Sequence, residues 1–162
     1  MLSRIALSVA LVAAALPAAA QTAPMPIKLF SSAADVDKMI ARARAAHKGP
    51  TTTTVETLGW DGVYRVQFEY RTGTTPPSLH KGQSELIYVI AGGCTLITGG
   101  TLADAKTNGA NMSGTAIQGG SPRKISKGDY VLVPTDTPHW YTDVQGEFIS
   151  ATLHMPVSSV PK

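Results

Sequence analysis

The fold of this chain is decided by one stretch, which reads Ser78-Leu-His80-Lys-Gly-Gln-Ser-Glu85-Leu-Ile-Tyr-Val-Ile-Ala-Gly92. Its imidazole and its carboxylate, His80 and Glu85, stand five residues apart and precede a nearly continuous apolar run. Such a run predicts a strand covered on both faces, and the glycine pair at its end predicts a turn. Because His80 and Glu85 flank the entrance of this strand, we expect both side chains to point inward from the wall of a sheet.

A second stretch brings another histidine to a strand entrance. It reads Gly128-Asp-Tyr-Val-Leu-Val-Pro134-Thr-Asp-Thr-Pro138-His139-Trp-Tyr-Thr-Asp143. The pattern predicts a turn, a short buried strand, a second turn and a strand that His139 opens. Tyr141 and Asp143 share the parity of His139 along that strand, so we expect them to face the same side. Two histidines and one carboxylate at strand entrances are the main functional indication in the sequence.

Turn residues are frequent in the rest of the chain, which has 15 glycines and 11 prolines among its 162 residues. Short strand-like runs recur about every ten residues with turn chemistry between them, which predicts an all-β sandwich or closed barrel. From 63 to 71 the alternation of apolar and polar residues predicts a half-buried strand. Its inner face would carry Tyr64, Val66, Phe68 and Tyr70, and its outer, wetted face Arg65, Gln67, Glu69 and Arg71.

The N-terminus has the pattern of a cleavable export signal over residues 1–20. Arg4 supplies the positive charge, Ile5 to Leu16 form an apolar run, and small residues precede a cleavage point before Gln21. The run is shorter than the roughly 20 apolar residues that a membrane-spanning helix needs. We therefore expect a periplasmic or secreted protein that has no membrane contact once the signal is removed; an uncleaved anchor is the alternative.

The mature chain is expected to have two parts. Residues 21–50 form an N-terminal extension with an amphipathic helix over 31–48, where apolar residues recur at helical spacing and Ser32 with Asp35 resembles a capping box. Residues 51–162 form the barrel. Within it, 99–124 is rich in Gly, Ser, Thr and Asn, which predicts a flexible insertion at one mouth of the barrel.

Composition excludes several other classes of protein. With 43% apolar and 15% charged residues, the chain is globular, and its length suits a single domain. The net charge of +3 is small and its basic residues are scattered, so nucleic acid is not an expected partner. Cys94 is the single cysteine, so no internal disulfide can form and the fold depends on its core.

The two stretches together resemble the two motifs of the cupin superfamily. The first motif has two histidines one residue apart, then a glutamate and a glycine, and His80, Glu85 and Gly92 match all but the first histidine. That position is occupied by Ser78. In the second motif Gly128, Pro134 and His139 match, whereas Asp136 replaces a glycine and Asp143 an asparagine.

The resemblance implies a cupin-type jelly-roll β-barrel, here with one N-terminal α-helix, and a metal held by His80, Glu85 and His139. Two imidazoles and one carboxylate suit a divalent transition metal such as iron, manganese or zinc, and leave positions open for water, oxygen or substrate. Ser78 is a poor ligand, which leaves three possibilities: a three-ligand site, a weakened site, or a cupin that no longer binds metal. His154 either supplies a fourth ligand or is a strand-end histidine with partners of its own.

A small organic molecule is the expected partner. Ile87 and Val89 share the inward parity of Glu85 and would form an apolar floor, with Ser78 and Asp143 at the edge of the pocket. Tyr141 could place a catalytic hydroxyl near a bound substrate. The function is then either metal-assisted chemistry, dioxygenase-like or of the isomerase/lyase kind, or non-catalytic binding or sensing of a small ligand at a degenerate metal site. The resemblance also implies a homodimer.

Overall fold

The structure, a computed structural model, describes residues 27–157. Within this part of the chain, one helix precedes twelve strands, and no helix there is long and apolar enough to cross a membrane. The predicted signal, 1–20, lies outside the described residues. The elements are α1 (Ala33–Ala46), β1 (Thr54–Asp61), β2 (Tyr64–Arg71), β3 (Ser78–His80), β4 (Gln83–Thr98), β5 (Thr101–Ala103), β6 (Lys106–Asn108), β7 (Asn111–Ser113), β8 (Ala116–Gln118), β9 (Ser121–Ser126), β10 (Tyr130–Val133), β11 (His139–Thr142) and β12 (Phe148–Pro156).

The long strand β4 connects the two halves of a curled antiparallel sheet. Its first half pairs with β10 and β12, and its second half pairs with β9 and β11. The main path of the sheet runs β1-β2-β12-β4-β11-β3-β7-β6, and β5 with β8 forms a separate pair. Because β4 belongs to both halves, the sheet closes around one interior. The all-β barrel predicted from the sequence is confirmed.

Gly92 marks the point where β4 passes from one half of the sheet to the other. Its φ is 74°, a left-handed conformation that side chains rarely adopt. A Cβ at this position would lie 1.8 Å from the carbonyl oxygen of Glu147, so no larger residue fits without moving the backbone. The facing strand shows a register irregularity between Ile149 and Ser150. This glycine of the first motif is therefore required by the close approach of β12.

Inward-facing side chains of β4 alternate with outward-facing ones on each side of the glycine pair, as the sequence predicted for Glu85, Ile87 and Val89. Glu85, Ile87 and Val89 are buried before Gly92, and Cys94 and Leu96 are buried after it. The apolar members pack into one core cluster that fills the barrel. This cluster comprises Ile87, Val89, Cys94, Leu96, Ile125, Val133, Tyr141 and Phe148.

The predicted orientation of β2 is wrong. Phe68 and Tyr70 face away from the barrel interior and pack against Met39 and Ala43 of α1. Each of the intervening residues Gln67, Glu69 and Arg71 pairs with β12 at a position whose side chain lies inside the barrel, and Glu69 and Arg71 are buried. The reason is that α1 covers the outer face of the sheet, so both faces of the second half of β2 are buried and the aromatic face packs on the helix.

Helix α1 begins at a capping box, in which Ser32 and Asp35 exchange side-chain to backbone hydrogen bonds. The helix spans Ala33–Ala46, two residues shorter at each end than the predicted 31–48, and His47 forms its C-cap. The Nδ1 of His47 lies 2.9 Å from the Thr54 hydroxyl, which joins the helix end to the first strand. The position of α1 over Phe68 makes it a cover for the barrel.

Residues 99–124, predicted to form a flexible insertion, include four complete short strands and the start of β9. Strand β7 pairs with β3, which carries His80, and β9 pairs with the second half of β4. Small polar residues have weak strand propensity, so these strands form because they pair with neighbouring strands. A local sequence pattern does not report such pairing. The flexibility proposed for this segment stays a prediction. Its strands nevertheless form part of the wall beside the first motif.

Cys94 is expected to be chemically inert in the folded protein. The side chain is buried, and burial raises the pKa of its thiol to about 12, so the reactive thiolate is scarce at neutral pH. Ellman's reagent at pH 8 should leave the folded protein unlabelled and should titrate one thiol after unfolding in guanidinium chloride. Rapid full labelling of the folded protein would contradict this assignment.

Candidate metal centre

Strand pairing brings four separate parts of the chain to one end of the barrel. His80 ends β3 and His139 opens β11, and these strands pair with Ser78 opposite His139. Glu85 lies near the start of β4, directly opposite His154 near the end of β12. The two cupin-like motifs, far apart in sequence, therefore contribute to one site. The register alone places their polar side chains on the same wall of the barrel.

The ligand atoms of His80, Glu85 and His139 lie within 4.8 Å of one another. The Nε2 of His80 is 3.0 Å from Oε1 of Glu85, and the Nε2 of His139 is 3.4 Å from Oε2 of the same carboxylate. Glu85 and His139 are buried, whereas the His80 side chain is 20% exposed. The site is thus nearly enclosed and opens toward solvent at His80.

Hydrogen bonds outside the cluster set the tautomers of both histidines. The Nδ1 of His80 lies 2.6 Å from the side-chain oxygen of Asn111, and the Nδ1 of His139 lies 3.2 Å from the carbonyl oxygen of Thr137. A carbonyl oxygen can only accept, so Nδ1 carries the proton in each ring and Nε2 presents a lone pair. Histidines that bind metals are held by outer partners in this way.

The electrostatics of the site favour the protonation states that metal binding needs. Burial alone would raise the pKa of Glu85, but its contacts with His154, His139 and His80 outweigh burial and lower the pKa to about 2. Burial lowers the pKa of His139, against the opposing effect of Glu85. Near neutral pH the carboxylate is therefore charged and the His139 imidazole is neutral, as ligands must be.

The residues present fit a divalent transition metal. The Oε1 of Glu85 is buried and has no hydrogen-bond partner, which is costly for a charged oxygen. It faces the lone pair of His80 at 3.0 Å, an arrangement of two acceptors that a cation between them would stabilise. Two imidazole nitrogens and one carboxylate are the donors that iron, manganese and zinc accept in proteins.

The remaining residues predicted for the site lie at different depths. Ser78 is next to the cluster, where its hydroxyl lies 3.0 Å from Nε2 of His139 and donates to that lone pair. Ile87 and Val89 are fully buried on the inward face of β4 that also carries Glu85, and their role as the floor of a substrate pocket stays a prediction. Both belong to the barrel core, so they close the site from the inside.

Tyr141, predicted as a catalytic residue, is buried between the cluster and the interior of the barrel. The Tyr141 ring meets the His139 ring edge-on, with 6.2 Å between their centroids. The Arg71 guanidinium lies 4.1 Å from the centroid of the Tyr141 ring. Burial raises the pKa of its phenol well above the ordinary value, so the hydroxyl stays protonated. Its catalytic role stays a prediction, and its visible contacts are those of a wall residue.

Asp143 is not part of the cluster, contrary to the predicted parity with His139. The strand β11 ends at Thr142, and Asp143 adopts a left-handed conformation with φ of 50° in the turn that follows. Its side chain is exposed and lines a separate cavity of about 450 Å³ beside Cys94 and Lys124. The parity argument fails because the chain leaves the strand one residue before Asp143.

The sequence argument misplaced two residues beside the site, Asn111 and Gln67, and left open whether His154 is a ligand. Asn111, which holds His80, comes from the segment predicted to be a flexible insertion. His154 contacts Glu85 at 3.2 Å, and Gln67, predicted to face solvent, lies 2.9 Å from the other nitrogen of His154. The inward parity of His154 with the buried Thr152 and Ser150 is the signal in the sequence that favours the first of its two possibilities, a fourth ligand.

No protein-family model and no curated protein matches this sequence. Solved structures do match. A provisionally named sugar phosphate isomerase of Acidithiobacillus ferrooxidans has a TM-score of 0.51 and 16% identity, covering 78% of this chain and 74% of that chain. The Thermus thermophilus protein TT1209 has a TM-score of 0.50 and 11% identity, covering 71% and 93%. An RmlC-like cupin family protein of Methanocaldococcus jannaschii, described as a double-stranded β-helix, has a TM-score of 0.46 and 14% identity, covering 67% and 84%.

The class of protein follows from the fold. The curled antiparallel sheet with the shared strand β4 is the architecture that this chain has in common with the solved structures of TM-score 0.50 and 0.51. The β-barrel that the cupin resemblance implied is thus confirmed as a fold, and membership of the superfamily stays a prediction. Identities of 11% to 16% define an architecture and carry no activity over to this chain.

Proposed function

We propose that this protein is an exported cupin that binds a divalent transition metal, iron, manganese or zinc, and acts on a small organic molecule by metal-assisted chemistry. One observation supports this most directly: the ligand atoms of His80, Glu85 and His139 lie within 4.8 Å of one another. The outer partners of both imidazoles direct lone pairs at the carboxylate, and an enclosed site of this kind is arranged for chemistry on a bound molecule.

The metal, when bound, would polarise a substrate oxygen as a Lewis acid or supply open positions for oxygen chemistry. The chain itself contributes the surroundings. Glu85 keeps its negative charge across the physiological range, since its pKa is about 2. Ile87 and Val89 exclude water from below, and the partly exposed His80 marks the side of entry. These features support dioxygenase-like chemistry or an isomerase/lyase reaction on one small substrate.

A second candidate function is non-catalytic binding or sensing of a small ligand at a degenerate metal site. The observation that favours it is the contact of Ser78. Its hydroxyl lies 3.0 Å from Nε2 of His139, the same nitrogen that a metal would need. A serine at this position also replaces one histidine of the cupin motif. Metal content separates the two candidates directly.

Purified mature protein is expected to contain one equivalent of iron, manganese or zinc, and His139→Ala is expected to contain little. The reason is that His139 supplies one of two lone pairs in the three-residue group. Inductively coupled plasma mass spectrometry on protein exported to the periplasm measures this, with His47→Ala as the matched control because His47 lies at the end of α1. Protein that stays metal-free even after incubation with each metal would contradict the metal-assisted function. It would support non-catalytic binding of a small ligand.

Export, oligomeric state and partners complete the proposal. The N-terminal pattern supports a periplasmic or secreted location, with no membrane contact after signal cleavage. The cupin resemblance supports a homodimer. A small molecule is the proposed partner and nucleic acid is not, since the net charge of +3 is small. N-terminal sequencing of the exported protein tests the cleavage before Gln21.

A further inference from the structure

A third imidazole contacts the carboxylate of the candidate metal centre. His154 lies on β12 directly opposite Glu85, and its Nδ1 is 3.2 Å from Oε1 of Glu85. The residue is buried, with 4% of its surface exposed. Neither cupin motif includes it. Glu85 therefore has three imidazole nitrogens within 3.4 Å of its two oxygens, from three different strands.

The outer contact of His154 sets its tautomer as it does for the other two histidines. Its Nε2 lies 2.9 Å from the side-chain oxygen of Gln67, so Nε2 carries the proton and donates. The Nδ1 then presents a lone pair toward Glu85. Both Nδ1 and the facing Oε1 are buried and lack a hydrogen-bond partner. Two unpartnered acceptors at 3.2 Å repel each other unless a proton or a metal ion lies between them.

The three distances around Glu85 fit ligands of one metal ion. Two donors that each lie about 2.1 Å from a metal, at right angles, are about 3.0 Å apart. The nitrogens of His80, His154 and His139 lie 3.0, 3.2 and 3.4 Å from the carboxylate oxygens. His154 is outside the three-residue group whose ligand atoms all lie within 4.8 Å, so binding would draw its ring inward.

We propose that His154 is the fourth protein ligand of the metal and compensates for the serine at position 78. The inference rests on the proposed metal-binding function. The ligands are then three histidines and one glutamate. The third histidine comes from β12 and takes the role of the motif histidine that Ser78 replaces. For a six-coordinate metal, four protein ligands leave two positions for substrate or oxygen instead of three. Access to these positions is from the partly exposed side of His80.

The test measures two quantities for each variant. Competition with a colorimetric chelator gives the Zn²⁺ affinity, and X-ray absorption at the zinc edge gives the number of imidazoles bound to the metal. Wild-type protein should show three imidazoles. His154→Gln, which keeps a polar side chain in the buried position, should show two and bind zinc on the order of 10- to 100-fold more weakly. His47→Gln is the matched control and should equal wild type, because its imidazole contacts Thr54.

A second variant separates loss of a ligand from loss of structure. Ser78 faces His139 at 3.0 Å, so an imidazole introduced there by Ser78→His would face the site. In the His154→Gln background, Ser78→His should restore the third imidazole and most of the affinity. Gln67→Leu, which removes the partner of His154 and leaves its imidazole in place, should weaken binding by roughly tenfold.

The outcomes distinguish this inference from the proposed function. Wild-type protein that binds no zinc, manganese or iron would overturn both. Wild-type protein that binds zinc through two imidazoles, with unchanged affinity in His154→Gln, would overturn only the role of His154. A folded double variant that stays as weak as His154→Gln would show that position 78 and His154 are not interchangeable, and would overturn the compensation.

Discussion

Glu85→Gln is expected to weaken divalent-metal binding on the order of 100-fold or more, because outer partners of metal ligands are alone worth about 10- to 100-fold. Glu85 supplies the only charge of the cluster and contacts all three imidazoles. The amide keeps the size of the side chain but has no negative charge and turns one acceptor into a donor. Zinc titration by chelator competition measures the loss.

The matched control for this substitution is Glu56→Gln. Glu56 pairs with Arg42 at the surface, beside α1 and away from the cluster, and the same change of carboxylate to amide should leave metal affinity unchanged. Equal affinities of wild type and Glu85→Gln would mean that the metal, if bound, is not held by this carboxylate. Weakening in both variants would point to a general loss of structure.

The same variant tests the charge of Glu85 in the metal-free protein. Contacts with the three histidines lower its folded pKa to about 2, below the ordinary value of 4.5. The stabilising contribution is therefore complete above pH 4.5 and lost as pH falls toward 2, because the unfolded chain takes up the proton first. The free energy of unfolding of wild type should fall more steeply over this range than that of Glu85→Gln. Parallel pH profiles would contradict the assignment.

The sequence was sufficient for the barrel, the two motifs and the inward residues of β4. His80, Glu85 and His139 could be selected because they stand at strand entrances with the spacing of cupin motifs. Ile87 and Val89 followed from the period of two, which held from Glu85 up to Gly92. These features depend on local pattern within one strand. Local pattern is what a single sequence reports best.

Features that depend on contacts between distant elements could not be predicted. The alternation in β2 identified its two faces but not which of them meets the barrel, since that depends on where α1 packs. Gln67 and Glu69 were therefore placed on the wrong side. Asn111 was missed because its strand forms by pairing with β3, and Asp143 was misplaced because the strand ends before it. His154 was recognised as a histidine on the last strand, but only the register with β4 shows its contact with Glu85.

Arg71→Met is expected to lower the free energy of unfolding by about 3–5 kcal/mol, the usual cost of breaking a buried ion pair from one side. Arg71 and Glu69 are both buried, and their side chains meet at 2.8 Å inside the barrel. Burial alone would lower the pKa of Arg71, but Glu69 outweighs it and the guanidinium stays charged. Within residues 27–157, removing Arg71 leaves the Glu69 carboxylate with only the hydroxyl of Ser150, at 3.5 Å.

Arg44→Met provides the matched control for this loss, because Arg44 forms the same kind of pair with Glu147 at the surface. Exposed pairs contribute about 0–1 kcal/mol, so the control should unfold close to wild type in guanidinium chloride. A double variant, Arg71→Met with Glu69→Leu, should recover much of the loss, because it removes the unpaired charge while keeping apolar volume. Equal destabilisation by Arg71→Met and Arg44→Met would mean that the interior of the barrel is hydrated. The enclosed site that the proposed chemistry requires would then lose its physical basis.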